Sequence, residues 1–289
     1  MVKPLFSGVC TAMVTPFING QINYPMMEVL LQKQIDAGIS AAVICGTTGE
    51  APTLIDEEKL ELFRRCKQYV GNKMSIIAGT GSNSTKHAIE LSLSAQDAGV
   101  DGLLIVSPYF NKATPEGLIA HYASIAQAVK LPIILYNVPS RTGLDMPVSV
   151  YKRLSGIKNI IGVKEATNSI EKILQIRAEC GNDFIIWSGN DDMTVPVMSL
   201  GGQGVISVVS NLIPEEMQTM ALAALDGDFD TASALQCEIA PLTKQLSCEV
   251  NPIPIKAAMK LAGYDCGGCR LPLTPISPDN ERKLKEFLC

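Results

Sequence analysis

The sequence lacks the features that mark membrane proteins and nucleic-acid-binding proteins. It has no run of about 18 uninterrupted apolar residues, so no membrane-spanning helix is expected. The chain has 24 Lys and Arg against 29 Asp and Glu, which gives a net charge of −5 without a basic stripe. Nucleic acids and anionic membranes attract basic surfaces, so we expect neither as a partner. The first residues do not resemble a secretion signal, and we expect a cytoplasmic protein.

Histidine is scarce, and the cysteines have no regular spacing. His87 and His121 both lie in segments of helical periodicity, which argues against a Ser-His-Asp hydrolase. The nine cysteines are an odd number without the spacing of a disulfide framework, so reduced thiols are expected. Cys266 and Cys269 form one close pair, but no second ligand pair accompanies them, and we expect no metal.

Short apolar runs alternate with helical patterns along most of the chain. Several helical patterns end in glycine, where a C-cap is expected. Strand-helix alternation predicts parallel pairing, and continuous apolar runs suit strands covered on both faces. Eight units in about 225 residues favour a closed (β/α)8 TIM barrel over an open doubly wound sheet. The runs are residues 9–14, 41–45, 74–79, 102–106, 133–136, 160–164, 184–188 and 204–208.

The alternation ends before the chain does. We therefore predict an α/β protein with two parts, a barrel catalytic domain over residues 1–227 and a C-terminal helical extension over residues 228–289. No Ser/Gly-rich linker separates the two parts, so the extension is expected to pack against the helices of the barrel.

Polar residues follow the ends of the predicted strands, where such a barrel builds its active site. Lys164 ends the sixth apolar run, and an unpaired charge buried there is costly. It either pairs with Glu165, reaches water at the strand end, or loses its proton and serves as a functional amine. A neutral amine attacks a ketone to form an imine. The segments that follow the second, fourth, fifth and seventh runs are GTTGE, SPYFNK, NVPSRTG and SGNDD.

GTTGE, SPYFNK, YNVPSRTG, GVKEAT and SGNDD, in this order and spacing, resemble the dihydrodipicolinate synthase family, also called 4-hydroxy-tetrahydrodipicolinate synthases. The resemblance covers essentially the whole chain and includes NPIPIKAAM and RLPLTPI. It implies a lyase of diaminopimelate and lysine biosynthesis that condenses pyruvate with L-aspartate-4-semialdehyde. It implies no metal or organic cofactor. It also implies a homodimer, or a homotetramer built as a dimer of dimers.

The resemblance implies a role for each matching residue. Lys164 forms a Schiff base with pyruvate, and Tyr136 donates and accepts protons near the imine. Thr47 and Thr48 hold the pyruvate carboxylate, and a guanidinium suits the carboxylate of the aldehyde substrate, which is the role of Arg141. Two more positions line the pyruvate pocket: Gly189 and Ile206.

One catalytic position departs from the family pattern. In the family, Thr47 and Tyr136 are joined in a proton relay by a second tyrosine that comes across a tight dimer interface, and that position here is Phe110. Phenylalanine keeps the packing of the ring and removes the proton carrier. We therefore expect a folded enzyme that forms the pyruvate imine and turns over slowly, since positioned acid–base groups contribute about 10² to 10⁴ in rate.

A second departure concerns regulation. Lysine-inhibited relatives bind the amino acid at five positions, and two of them differ here in a way that matters for charge. His87 stands where a glutamate would pair with the ammonium of lysine, and Lys59 adds a like charge. We therefore predict insensitivity to L-lysine. The five positions are Ala51, Lys59, Asn83, His87 and Tyr109.

Two alternatives stay open at this point. N-acetylneuraminate lyase and 2-keto-3-deoxygluconate aldolase share the lysine and the GxTGE-like turn, but Arg141 favours the synthase over an enzyme for sugar-derived keto acids. A catalytically inactive relative that acts as a binding protein would fit Phe110. Lys164 argues against it, because such a protein needs no imine-forming residue.

Overall fold

A computed structural model describes residues 4–288. Its centre is a closed barrel of eight parallel strands, which confirms the predicted (β/α)8 barrel. The first strand pairs with both the second and the eighth, and this pairing closes the barrel. In chain order the strands are Gly8–Ala12, Ala41–Ile44, Ser75–Gly79, Gly102–Val106, Ile133–Asn137, Ile160–Glu165, Ile185–Ser188 and Gly204–Ser207.

The apolar runs become strands because both of their faces are covered. Alternate side chains point into the barrel and out toward the helices, so neither face of a strand meets water. Inside the barrel, Phe6 stacks on Trp187 with ring centres 4.9 Å apart, and both rings are buried. The interior is a packed core, which leaves the rims of the barrel for a binding site.

Nine helices follow the strands of the barrel among the described residues. Four of them begin with a side chain that accepts a hydrogen bond from the first turn, at Asn23, Ser84, Thr114 and Ser169. The helices are α1 Tyr24–Asp36, α2 Asp56–Val70, α3 Thr85–Asp97, α4 Pro115–Ala128, α5 Pro139–Thr142, α6 Val148–Leu154, α7 Ile170–Cys180, α8 Thr194–Ser199 and α9 Pro214–Leu225.

The C-terminal extension contributes three further helices, α10 Phe229–Gln245, α11 Ile253–Leu261 and α12 Pro278–Leu288. Helix α10 packs against α8 and α9. The predicted boundary between residues 227 and 228 falls between α9 and α10. A two-stranded hairpin, Phe17–Ile18 with Gln21–Ile22, also contacts the extension, where Phe17 N donates to Cys266 O at 2.9 Å. Within residues 4–288, no helix is long and apolar enough to span a membrane.

Candidate active site

A cavity of about 510 Å³ lies at the carboxyl ends of the barrel strands. Its walls come from the segments after the second, fifth, sixth, seventh and eighth strands and from the C-terminal extension. Parallel strands end at one rim, so residues far apart in sequence meet there. The cavity brings together six of the predicted site residues, Thr47, Thr48, Tyr136, Arg141, Lys164 and Gly189.

Lys164 and Tyr136 face each other across neighbouring strands. They are register partners on the sixth and fifth strands, and Lys164 Nζ lies 4.4 Å from the centre of the Tyr136 ring. Lys164 is only 5% exposed. Glu165 does not neutralise it, because that carboxylate lies on the other face of the strand and contacts Lys172 at 3.7 Å. Lys164 therefore forms no ion pair with Glu165, and its amine lies in the cavity beside Tyr136.

The turn after the second strand presents the two threonines. Cys45 and Glu50 flank it with positive φ angles of 58° and 56°, a sparsely populated conformation for residues other than glycine. Thr48 is buried, and its Oγ1 accepts a hydrogen bond from Asn251 Nδ2 at 3.0 Å. A hydroxyl that accepts from Asn251 keeps its own proton for another acceptor. The turn is thus arranged to donate to an anionic group in the cavity.

Arg141 lies on the short helix α5 at the exposed rim of the cavity. Its Nη2 donates to the backbone oxygen of Asn251 at 3.1 Å. One residue of the extension, Asn251, therefore contacts both Thr48 and Arg141. A guanidinium held in this way suits a carboxylate at the mouth of the cavity. Sequence reasoning missed Asn251, although NPIPIKAAM carried part of the resemblance.

A buried ion pair ties the same turn to the extension. Lys256 Nζ lies 2.6 Å from Glu50 Oε1, and the two side chains are 3% and 0% exposed. Lys256 also donates to Gly268 O at 3.1 Å, and Arg270 N donates to Glu50 Oε2 at 2.8 Å. These bonds satisfy a carboxylate that would otherwise be costly to bury. Sequence reasoning missed this pair; the available signal was a lone lysine in the apolar run IPIKAAM.

Gly189 is required by close packing, while Ile206 lies deeper than expected. A Cβ atom on Gly189 would come within 2.7 Å of Ala166 Cβ, so only glycine fits without movement. Ile206 is fully buried on the eighth strand, in the same core cluster as Tyr136, and is not part of the cavity wall. Asp191 also belongs to the cavity wall. Its Oδ2 accepts a hydrogen bond from Val208 N at 3.0 Å, and burial raises the pKa of its carboxyl.

Phe110 does not line the cavity of its own chain. Its side chain is 88% exposed, and its φ angle is 71°. A bulky residue in this region of φ is strained by about 1 to 3 kcal/mol. The structure therefore holds an apolar ring in solvent at a cost, on the loop that follows the fourth strand.

A second cavity of about 470 Å³ adjoins the first and shares Thr47, Tyr136, Val138 and Arg141 with it. No Asp or Glu is among the described residues of its wall. Asp56 lies outside the wall and contacts Lys59 at 3.0 Å and His87 at 2.7 Å. Four of the five predicted effector positions line this cavity: Ala51, Lys59, His87 and Tyr109. The fifth, Asn83, does not, and its backbone oxygen accepts from Asn111 Nδ2 at 2.6 Å.

The close cysteine pair, Cys266 and Cys269, has unreactive thiols. Burial raises the pKa of Cys266 to about 12 and that of Cys269 to about 11, so both thiols are protonated near neutral pH. The eight cysteines from Cys10 to Cys269 are free thiols, while Cys289 lies outside the described residues. Within residues 4–288, no group of three or more His, Cys, Asp or Glu side chains is arranged to hold a metal ion.

Comparison with known proteins identifies the family. The model of the dihydrodipicolinate synthetase family matches residues 5–289. A 4-hydroxy-tetrahydrodipicolinate synthase from Thermoanaerobacter sp. (strain X514) is 46% identical over 286 residues, which are 99% of this chain and 96% of the relative. The crystal structure of the Thermotoga maritima dihydrodipicolinate synthase has a TM-score of 0.97 and 39% identity, and covers 99% of this chain and 98% of that one.

A second solved structure has a similar fold. The chloride-inhibited dihydrodipicolinate synthase from Acinetobacter baumannii, complexed with pyruvate, has a TM-score of 0.96 and 40% identity, and covers 98% of this chain and 97% of that one. The family match covers the whole barrel and the C-terminal extension, and so includes every residue that lines the cavity. The chain belongs to the dihydrodipicolinate synthetase family.

Proposed function

We propose that this chain is a lyase that catalyses the reaction for which its relatives are named, the condensation of pyruvate with L-aspartate-4-semialdehyde. The observation that carries the proposal is the environment of Lys164, a buried amine that faces Tyr136 in the cavity and has no carboxylate at ion-pair distance among the described residues. Full-length relatives named 4-hydroxy-tetrahydrodipicolinate synthase support this reaction over a sugar-acid aldolase.

The reaction uses the amine as a nucleophile. Lys164 Nζ attacks the keto carbon of pyruvate, and loss of water gives an imine. Removal of a methyl proton converts the imine to an enamine, whose carbon attacks the aldehyde and forms the new C–C bond. The amino group of the former aldehyde substrate then displaces Lys164 from the imine carbon. The ring closes in this step, and the free lysine is regenerated.

The other residues of the cavity orient the two substrates. Thr47 and Thr48 hold the pyruvate carboxylate; the bond that Thr48 accepts from Asn251 supports this role, because it leaves the hydroxyl proton available to a carboxylate. Tyr136 is close enough to Lys164 to move protons at the imine. Arg141, at the rim, suits the carboxylate of the aldehyde substrate. The pyruvate complex of the Acinetobacter baumannii relative supports the assignment of the first substrate.

The exposed ring of Phe110 supports an oligomeric enzyme. An isolated chain would keep this strained apolar side chain in water, whereas a second copy could cover it. We therefore propose a homodimer or a dimer of dimers in which Phe110 occupies the relay position of the partner's site. Membership of a biosynthetic family supports a cytoplasmic location.

Borohydride trapping tests the proposed intermediate. Incubation with pyruvate and borohydride should reduce the imine and leave a pyruvate-derived adduct on the peptide that contains Lys164. A matched control is Lys67→Gln, which changes an ion-paired lysine whose partner, Asp101, precedes the fourth strand at its amino end, 2.8 Å away, and should leave the adduct in place. An adduct on another lysine, or none on a folded protein, would contradict the proposal. Cleavage of N-acetylneuraminate faster than condensation with L-aspartate-4-semialdehyde would favour the lyase instead.

A further inference from the structure

The strand pair that carries Tyr136 and Lys164 also carries a second pair of side chains on its outer face. The next register partners along the same two strands are Asn137 and Glu165. Successive side chains of a strand point to opposite faces, so this second pair lies directly behind the first. Both residues are buried, at 0% and 1% exposure.

Asn137 and Glu165 are hydrogen-bonded to each other and to their surroundings. Asn137 Nδ2 donates to Glu165 Oε1 at 2.7 Å, and Asn137 Oδ1 accepts from Met146 N at 3.1 Å. Tyr151 Oη donates to Glu165 Oε2 at 2.7 Å. Lys172, which pairs with Asp145, lies 3.7 Å from the same oxygen. The carboxylate is therefore held by three different elements: the fifth strand, α6 and α7.

Backbone hydrogen bonds connect Glu165 and Asn137 to the cavity wall. Its carbonyl oxygen accepts from Gly189 N at 2.8 Å, and Asn137 O accepts from Ala166 N at 2.9 Å. Gly189 is part of the cavity wall. A rotation of the strand end at Glu165 would therefore move Lys164, Tyr136 and Gly189 relative to one another.

We propose that Glu165, clamped by Asn137 and Tyr151, is a positioning residue that keeps Lys164 aimed at Tyr136 and at the bound keto acid. The inference rests on the proposed function, since it assumes that Lys164 forms the imine. A buried ionic group adds little to stability compared with well-packed apolar residues, so stability alone does not account for one directly behind the reacting amine. A displacement of about 1 Å in a reacting group can cost about 10²-fold in rate.

The test compares two carboxylate-to-amide changes. Glu165→Gln keeps the shape of the side chain but removes its charge and replaces one acceptor oxygen with a donor, so that either the bond from Asn137 is lost or the bond with Tyr151 reverses and the tyrosine proton loses its acceptor. Asp101→Asn makes the same change on an ion-paired residue at the amino end of the fourth strand, where the carboxylate binds Lys67 at 2.8 Å and Ile76 N at 2.8 Å. Each variant is assayed for thermal unfolding, for the rate of borohydride trapping with pyruvate, and for kcat and KM.

A positioning role predicts a specific pattern. Glu165→Gln should lower the trapping rate and kcat by about 10-fold to 10²-fold, with the KM for L-aspartate-4-semialdehyde changed by less than about twofold. Asp101→Asn should lower the unfolding temperature without changing the trapping rate. Wild-type trapping and kcat in a folded Glu165→Gln protein would overturn the inference.

A second variant tests the inference even if Glu165→Gln does not fold. Tyr151→Phe keeps the buried ring and removes only its hydrogen bond to Glu165, so it should fold and lower kcat in the same direction by about 10-fold. Unchanged kcat and trapping in Tyr151→Phe would also contradict the positioning role. Absence of the adduct in the unmodified chain would instead overturn the proposed function itself, so the two failures are distinguishable.

Discussion

Individual residues of the site combine features that are costly alone. Lys164 is buried without a carboxylate partner among the described residues, Glu50 has a left-handed backbone, and Phe110 exposes an apolar ring. Each of these three features lowers the free energy of unfolding. Such strain concentrates where a binding or catalytic role outweighs its cost in stability.

The first prediction concerns Phe110. Replacement Phe110→Tyr restores the hydroxyl of the family's relay and should raise kcat by about 10²-fold or more, since positioned acid–base groups contribute about 10² to 10⁴ in rate. Steady-state condensation of pyruvate with L-aspartate-4-semialdehyde, run side by side for the two proteins, measures the change. Equal and brisk turnover would mean that protons travel by another route.

The adjacent tyrosine provides the matched control. Tyr109 lies at the second cavity and is 40% exposed. If Tyr109 replaced the relay hydroxyl, Tyr109→Phe would lower kcat in the unmodified chain. With the relay interrupted at Phe110, we expect Tyr109→Phe to leave kcat unchanged.

The second prediction is insensitivity to L-lysine. The second cavity carries Lys59, His87 and Arg141 and no carboxylate among its described residues, so an ammonium group finds no counter-charge there. Activity should persist at millimolar L-lysine in a steady-state assay. Replacement His87→Glu supplies a carboxylate next to Lys59 and should increase inhibition. Half-maximal inhibition of the unmodified chain at submillimolar lysine would disprove this prediction.

Among secondary-structure elements, the contact between α3 and α4 contains a buried histidine. His121 Nδ1 lies 2.9 Å from Thr85 Oγ1, and Nε2 has no hydrogen-bond partner among the described residues. Burial lowers the pKa of His121 from 6.5 to about 4. The folded protein keeps this ring neutral in a pH range where the unfolded chain protonates it.

This difference gives the third prediction. The folded state binds fewer protons between pH 6.5 and about 4, so stability is full above the upper value and falls as the pH drops through this window. Between pH 7.5 and pH 5, His121 should cost about 1 to 2 kcal/mol of the free energy of unfolding. Urea titrations should show a smaller pH dependence for His121→Gln. An equal pH dependence in both proteins would exclude His121 as the cause.

The sequence predicted the barrel strands well and some of the connecting elements poorly. The eight strands lie within two residues of the predicted runs, because each run is apolar throughout and bounded by turn residues. The bounds of helices α5 and α8 and of the hairpin at residues 17–22 were not predicted, since helices of four and six residues make fewer than two turns and a strand of two residues gives no apolar run.

Some residues of the candidate site could be predicted from the sequence, and others could not. Lys164 and Tyr136 lie at the carboxyl ends of strands and Arg141 follows one, so their order along the chain is enough to place them at one rim of a barrel. Asn251 and the Glu50–Lys256 pair depend on contacts across 203 and 206 positions of the chain. Spacing along a single sequence carries no information on such contacts, and only the folded chain brings these residues together.

At the level of the whole molecule, the C-terminal extension is part of the site. Asn251 contacts Thr48 and Arg141, and Lys256 neutralises Glu50 behind the threonine turn. The extension therefore does more than cover the outside of the barrel, because its residues hold the turn and the guanidinium that line the cavity.

The fourth prediction tests this connection. Lys256→Met leaves the carboxylate of Glu50 buried without its ammonium partner, and should lower the free energy of unfolding by about 3 to 5 kcal/mol. It should also raise the KM for pyruvate, because the turn that carries Thr47 and Thr48 loses its anchor. Urea unfolding and steady-state kinetics measure the two effects.

An exposed ion pair supplies the control. Lys152 and Glu179 lie 2.6 Å apart, with side chains 61% and 48% exposed. Lys152→Met should change the free energy of unfolding by less than about 1 kcal/mol and leave the KM for pyruvate unaltered. Similar effects of the two lysine replacements would contradict a special role for the buried pair.

Closure of the barrel between its first and eighth strands has a consequence for synthesis in the cell. Gly8 pairs with Gly204, so at about 5 to 20 residues per second one edge of the first strand waits roughly 10 to 40 s for its partner. An unpaired apolar edge is a template for association with other chains. The nascent polypeptide is thus most vulnerable to aggregation while it is still on the ribosome, and a chaperone that shields this edge should raise the yield of folded enzyme.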